Sequence, residues 1–321
     1  MAAPTSSSPE AQTVATLRIE EEVDGVFACT SKERQLSRAG TPYLTLELRD
    51  SSGAIVARAF READVLAGRF ERGDLVRVRG RVRSFRDQPQ IEVDSIARAA
   101  EADPARFLPV AYRDLDELDG FLEHLAREVY DRHLGELLQR LLADEALRAE
   151  LRRAPCAIPG PGAGVRRGGA SSPALGATRA SSAHHAYLGG LLEHTVAVAT
   201  LALELCTLHP RLDRDLLLCA ALVHDLGRTR EFTYAAEIGY SDEGRLLGHI
   251  ELGLRVLAEH LPPALPPARR LALEHCVLLH HGPELAAGRR FASAEALALY
   301  RINALDAHVK SAFEQGLGAG L

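Results

Sequence analysis

Seven of the thirteen histidines in this 321-residue sequence stand at His184, His185, His194, His224, His249, His280 and His281, in the order His-His, His, His-Asp, His, His-His. A centre for one or two divalent cations inside a helical bundle needs neutral imidazoles from several helices and a carboxylate able to bridge two ions. Asp225, beside His224, fits that bridge. The pair follows the apolar run Leu216 to Val223, and Asp225-Leu226-Gly227 ends the helix, so both side chains turn toward the bundle interior. A carboxylate there requires a cation, a donor or a proton, because an uncompensated buried charge is costly. Any one of these histidines alone reads as an ordinary core or surface residue, as His124, His133, His209, His260, His275 and His308 do. The ordered set points to metal binding.

The elements that must hold this set are helical. Apolar residues from Leu115 to Leu151 recur at three-and-four spacing (Leu118, Phe121, Leu122, Leu125), which predicts two helices whose stripe packs as core, a dimer interface being the alternative. Residues 159–182 are Gly, Ala, Ser, Pro and Arg, a composition that cannot bury enough apolar surface to hold a shape, so a flexible loop carrying Arg166, Arg167 and Arg179 is expected. His184 to Phe313 then reads as helical throughout, with breaks at Gly189-Gly190, Pro210, Gly227, Gly239, Pro262-Pro263 and Gly282.

The first hundred residues have a different period. After a loose Ala/Pro/Ser/Thr tail to about residue 14, the pattern from Leu17 to Ile96 is period two. Leu44, Leu46 and Leu48 alternate with polar residues, Asp50-Ser51-Ser52-Gly53 supplies turn chemistry, and Ala54 to Phe60 resumes as a strand. A short helix over Arg61 to Phe70, a strand from Gly73-Asp74 to Phe85 and a last strand through Ile91 and Val93 bring the count to about five strands. One helix between the third and fourth suits an OB-fold over residues 15–100, a small barrel whose open face binds single strands. Arg77, Arg79, Arg81 and Arg83 alternate with Val76, Val78 and Val82, giving one strand face four positive charges. That face reads either as solvated surface or as a track for a phosphate backbone, with Tyr43, Phe60 or Phe85 offering a ring for a base to stack on.

Composition bounds the rest. The chain is 46% hydrophobic and 26% charged with a net charge of −6, an ordinary globular balance that excludes disordered, collagen-like and disulfide-dense classes. Five scattered cysteines without a CxxC pair imply neither a disulfide framework nor a zinc ribbon. No secretory signal and no continuous apolar run of membrane-spanning length is read, so the expectation is a cytoplasmic protein with no membrane partner.

In order, HHAYLGGLLEHT (184–195), LVHDLGR (222–228), YSDEGRLLGHIELG (240–253), LLHHG (278–282) and ALDAHV (304–309), preceded by GTPYLTLELRDSSGAIVARAF (40–60), resemble the HD metal-dependent phosphohydrolase superfamily. Within it they resemble the YhaM-type 3′–5′ exoribonucleases, an OB-fold joined to a helical HD domain, here residues 107–316. The resemblance implies a phosphodiesterase that trims single-stranded RNA or DNA from the 3′ end to nucleoside monophosphates with one or two ions (Mn, Fe, Co, Ni, Zn or Mg). It implies that His194, His224 and Asp225 hold a first metal, that Asp225, His249, His280 and His281 hold or flank a second, and that His184, His185 and Arg228 face the phosphate. Arg228 stands where the superfamily usually has lysine, and Asn303 where it has the last ligating aspartate, with Asp306 one helical turn further on. Two other readings remain open: an HD hydrolase of nucleotides or cyclic nucleotides, and a nucleic-acid-binding protein whose site has decayed at Asn303.

Overall fold

The computed structural model describes residues 12–37, 39–50, 52–85, 88–103, 106–158, 184–234, 236–285 and 290–314; the expected 159–182 loop and the first eleven residues lie outside them. The chain divides into two compact units, Met1–Pro109 with Tyr234–Glu237 and Val110–Thr233 with Ile238–Leu321.

The first unit is a closed five-stranded barrel. Its strands β1 (Glu22–Leu36), β2 (Pro42–Asp50), β3 (Gly53–Ala59), β4 (Leu75–Phe85) and β5 (Gln88–Arg98) are ordered β1-β2-β3-β5-β4, and the short helix α1 (Ala63–Ala67) lies between β3 and β4 in sequence. Period-two alternation sends Leu44, Leu46 and Leu48 into the barrel with Phe27, Val76, Val78, Val82 and Ile91, each such burial being worth about 1.5–3 kcal/mol. Asp50 Oδ1 accepts the backbone N–H groups of Ser52 and Gly53, which closes the β2–β3 turn. Closure depends on β1, whose first half pairs with β4 and whose second half pairs with β2 across a register shift between Cys29 and Ser31. Residues 12–14, expected in the loose tail, are bonded to the barrel: Gln12 Nε2 donates to the carbonyl of Glu22, and the Val14 N–H to Asp50.

The second unit is helical. Residues 115–153 form three helices rather than two, α2 (Leu115–Arg127), α3 (Arg132–Ala143) and α4 (Glu145–Arg153), because Asp131 and Asp144 each cap a new N-terminus by accepting backbone N–H groups. Their stripe is core: Leu118, Leu122, Leu134, Leu137 and Leu138 are buried together with side chains of α5 (Gly190–Leu208) and α6 (Arg214–Val223). Helix α5 is long and apolar enough to cross a bilayer by length and composition alone, a stretch that a search for continuous apolar runs passes over. Here Leu191, Leu192, Val196, Val198 and Ala199 spend that apolarity inside the bundle. After the short α7 (Arg228–Glu231), a two-stranded sheet, β6 (Phe232–Tyr234) and β7 (Ile238–Tyr240), interrupts what periodicity reads as continuous helix. Helices α8 (Asp242–His260), α9 (Pro267–Leu279) and α10 (Ala294–Glu314) complete the unit.

Candidate metal centre and nucleic-acid face

Five chain segments deliver the histidines. His194 sits in the second turn of α5, His224 is the C-cap of α6 and His280 the C-cap of α9, so each projects from a helix end or first turns into the interior. His249 follows Gly248, whose φ of 72° interrupts α8 and turns the chain just ahead of the imidazole. Gly227 lets the turn after Asp225 press against this segment: a Cβ there would stand 1.9 Å from the His249 carbonyl oxygen. The donor atoms of Asp225, His249, His280 and His281 all lie within 4.8 Å of one another, as do those of His194, His224 and Asp225.

Hydrogen-bond accounting shows that these donors face each other with lone pairs. His224 Nδ1 is 2.9 Å from the carbonyl of Ala221 and His280 Nδ1 is 2.5 Å from that of Val277, so each Nδ1 carries the proton and each Nε2 is bare. His194 Nδ1 lies 2.6 Å from Asp306 Oδ2, which assigns its proton in the same way. His194 and His224 nevertheless hold their Nε2 atoms 3.2 Å apart. Two buried lone pairs at that distance repel unless a cation or proton lies between them. Asp225 Oδ1 and His280 Nε2, 3.3 Å apart, are likewise buried without a hydrogen-bond partner. Burial pushes His224 down to about 3, so it offers a neutral ring at any working pH. Burial alone would raise Asp225, but Arg228 and the surrounding imidazoles hold it well below the usual carboxylate range. A buried anion ringed by bare imidazole nitrogens fits a divalent cation of the borderline class.

Behind the donors is a layer of polar support. Asp306 on α10 also takes His185 Nε2 at 3.0 Å, and His185 Nδ1 reaches the Tyr187 hydroxyl at 2.8 Å, which donates to Glu193. Burial works against charge on His185, yet the hydrogen bonds with Asp306 and Glu193 outweigh it and raise its pKa. Burial would raise Glu193, but His185, Tyr187 and Lys310 bring it to about 2. His185 adopts a left-handed backbone with φ of 51°, a strained conformation for a side chain of this size.

The geometry gives three of the expected site residues partners within the protein. His185, expected to face the phosphate, has both ring nitrogens engaged with Asp306 and Tyr187. Arg228 is buried, with Nε 2.7 Å from Asp225 Oδ2 and Nη1 3.1 Å from Glu231 Oε2, so its charge is spent on the centre's own carboxylates. Asn303, expected at the position of a ligating aspartate, uses its amide Nδ2 to donate to the His280 carbonyl at 3.1 Å, a task an ionised aspartate cannot perform. His184 meets the sulfur of Cys156 at 3.5 Å. Sequence reasoning missed Cys156 and Glu231. The three-residue step from Arg228 to Glu231 on one helix face was a usable signal, whereas Cys156 lies 28 positions before His184 with no spacing to betray it.

On the barrel, the four arginines of β4 lie on its outer side but are not free. Arg77 and Arg79 both bind Asp24, Arg81 binds Glu22, and Arg83 binds Glu20. The neighbouring strand β1 presents Glu22 and Asp24 in register with Arg81 and Arg79, and Glu20 precedes it, which neutralises most of the expected phosphate track. The aromatic residues are better placed: Tyr43 and Phe60 stack at 5.5 Å, and the Arg58 guanidinium lies 4.6 Å above the ring of Phe85. Phe60 and Phe85 are exposed, and Arg58 Nε has no hydrogen-bond partner among the described residues. Arg58 joins the candidate face that the sequence assigned to Tyr43, Phe60 and Phe85.

Comparison with known proteins agrees with both halves. Residues 28–98 match the OB-fold nucleic acid binding domain family and residues 191–308 the HD domain family. The 3′-5′ exoribonuclease YhaM of Shouchella clausii is 28% identical over 301 residues, covering 91% of this chain and 85% of that protein. That of Bacillus subtilis is 27% identical over 270 residues, covering 82% and 77%, and that of Bacillus velezensis 28% over 266, covering 82% and 77%. The chain thus carries an OB-fold nucleic acid binding domain and an HD domain, and it is similar to the YhaM 3′-5′ exoribonucleases along most of its length.

Proposed function

We propose that this protein is a divalent-metal 3′–5′ exoribonuclease that removes nucleoside monophosphates from single-stranded RNA. The observation that carries the metal half of this reading is the opposed Nε2 pair of His194 and His224 beside the partnerless Asp225 Oδ1. The names of the YhaM relatives carry the choice of RNA and of polarity.

His194, His224 and Asp225 would hold one ion, and Asp225 with His249, His280 and His281 a second. A bound cation supplies a water of lowered pKa and neutralises charge on the phosphodiester. Arg228, fixed between Asp225 and Glu231, keeps the bridging carboxylate ionised and aimed. Asp306 and the carbonyls of Ala221 and Val277 hold three imidazoles in the tautomer that leaves Nε2 free. Of the residues around Asp225, His249 is the more open, with 15% of its side chain exposed against 0% for His194, His224 and His280, so a substrate phosphate reaches the centre from the His249 side. Tyr43 and Phe60 supply stacking surface for unpaired bases.

The test is metal-stripped full-length protein incubated with a 5′-labelled single-stranded RNA, with Mn²⁺ or Mg²⁺ added back. A ladder that shortens from the 3′ end is expected. RNA left intact with every cation overturns the reading, and a retained gel shift then identifies a binding protein rather than a hydrolase of smaller nucleotides.

A further inference from the structure

Cys156 is fully buried and its sulfur faces polar atoms: Sγ is 3.5 Å from His184 Nε2, and the thiol donates to Asp225 Oδ2 at 3.7 Å. The donor atoms of Cys156, His184 and His194 lie within 4.8 Å of one another, and His194 belongs equally to the set with His224 and Asp225. A tetrahedral ion with metal–sulfur and metal–nitrogen bonds of about 2.3 and 2.0 Å separates its ligand atoms by roughly 3.3–3.6 Å. The 3.5 Å between Cys156 Sγ and His184 Nε2 is the separation of two donors around one such ion.

The backbone holds the cysteine in place. The Cys156 N–H donates to the carbonyl of His185, the Leu191 N–H to that of Ala154, and the Gly189 N–H to that of Arg153, which ties the end of α4 to the start of α5. The other four cysteines are also buried, but no set of metal-competent donors among the described residues includes one of them. The carboxylate that Cys156 meets is already engaged: Asp225 Oδ2 is bound by Arg228 at 2.7 Å. A fully buried cation gains from a second anionic ligand at this point, and the thiol becomes one by releasing its proton to solvent on coordination.

We propose that Cys156 is a thiolate ligand of the metal centre, joining His194 and His184, and that it biases the site toward zinc, cobalt or iron over manganese and magnesium. Thiolate is a soft donor and favours those ions, whereas a carboxylate in its place favours the harder ones. The inference rests on the centre's holding a divalent ion, as the proposed function requires.

The experiment uses Co²⁺ as probe. Metal-stripped full-length protein titrated with Co²⁺ is expected to show the visible bands of bound cobalt and, in the near ultraviolet, an intense sulfur-to-cobalt charge-transfer band. Cys156→Ser and Cys156→Ala should lose the second and keep the first, with Zn²⁺ affinity falling about tenfold or more while Mn²⁺ affinity changes less than about twofold. Zinc-edge X-ray absorption of the wild-type protein gives a readout that needs no variant, with a sulfur neighbour expected at about 2.3 Å. Cobalt bound by wild type without the sulfur band, or zinc without a sulfur neighbour, overturns the inference and leaves the proposed function standing. Wild type that binds manganese but neither cobalt nor zinc overturns the inference alone, and wild type that binds none of the three overturns both.

Discussion

Asp306 Oδ2 accepts from His194 Nδ1 at 2.6 Å and thereby decides which nitrogen of a fully buried imidazole is left bare. Asp306→Asn removes the charge that fixes this tautomer while keeping the shape. Metal affinity should fall about 10–100-fold, with little change in circular dichroism, when binding is followed by calorimetry on chelator-stripped protein. An affinity equal to wild type would reduce Asp306 to a packing residue.

Asp225 has two roles, and one substitution separates them. Asp225→Asn should lose both the bound ion and turnover on single-stranded RNA. It should also lower stability in chelator by about 3–5 kcal/mol, because Arg228 keeps its burial and loses one of its two carboxylate partners. Urea unfolding in chelator reads the second effect independently of the first. Wild-type turnover in this variant would rule out the metal assignment.

Asn303→Asp sets a ligand against a hydrogen bond. The amide donates to the His280 carbonyl at 3.1 Å, and a carboxylate in its place opposes that oxygen. Without metal the variant should be about 1–3 kcal/mol less stable than wild type. Saturating Mn²⁺ should recover that loss, and turnover should be preserved or raised. A melting temperature equally low with and without the ion would mean that position 303 serves the fold alone.

On the barrel, aromatic contacts should outweigh the arginine row. Tyr43→Ala and Phe60→Ala should each weaken binding of a single-stranded oligonucleotide by about 1–3 kcal/mol. Arg79→Ala, which removes a cation already paired with Asp24, should change it by less than about 1 kcal/mol. Fluorescence anisotropy at fixed ionic strength distinguishes these outcomes, and a larger loss from Arg79→Ala would restore the phosphate track.

The sequence made the donors legible and left their relations hidden. Alternation at Leu44, Leu46 and Leu48 is a local property, so the barrel could be read directly, and the run into His224-Asp225 announced a helix ending in a polar pair. Whether Arg228 faces a phosphate or Asp225, and whether the arginines of β4 meet solvent or Asp24 and Glu22, depends on partners brought together by pairing across the fold. Cys156 was invisible for the same reason: its place beside His184 comes from backbone bonds across the residue 159–182 segment. The three helices of residues 115–153 were miscounted because an apolar stripe keeps its period through a cap, and only Asp131 and Asp144 mark the breaks.

Those first helices carry their own ion network, which predicts how the bundle answers acid. Asp119 on α2 is buried and receives Arg148 through two bonds, at 3.1 and 2.6 Å, and Arg152 at 2.8 Å. Burial would raise its pKa, but the two arginines lower it below its ordinary value of 3.8. An aspartate in the unfolded chain therefore takes up its proton at higher pH than Asp119 does in the folded one. The stabilisation is complete above about pH 4 and disappears as pH falls through the folded value. Asp119→Asn should cost about 3 kcal/mol or more at pH 7, since it leaves two half-buried guanidinium groups short of a carboxylate. The gap between variant and wild type should narrow below pH 4. Urea unfolding of both proteins at pH 7 and pH 3 measures it, and a gap that stays constant or widens in acid would show that Asp119 contributes through packing and neutral hydrogen bonds rather than through its charge.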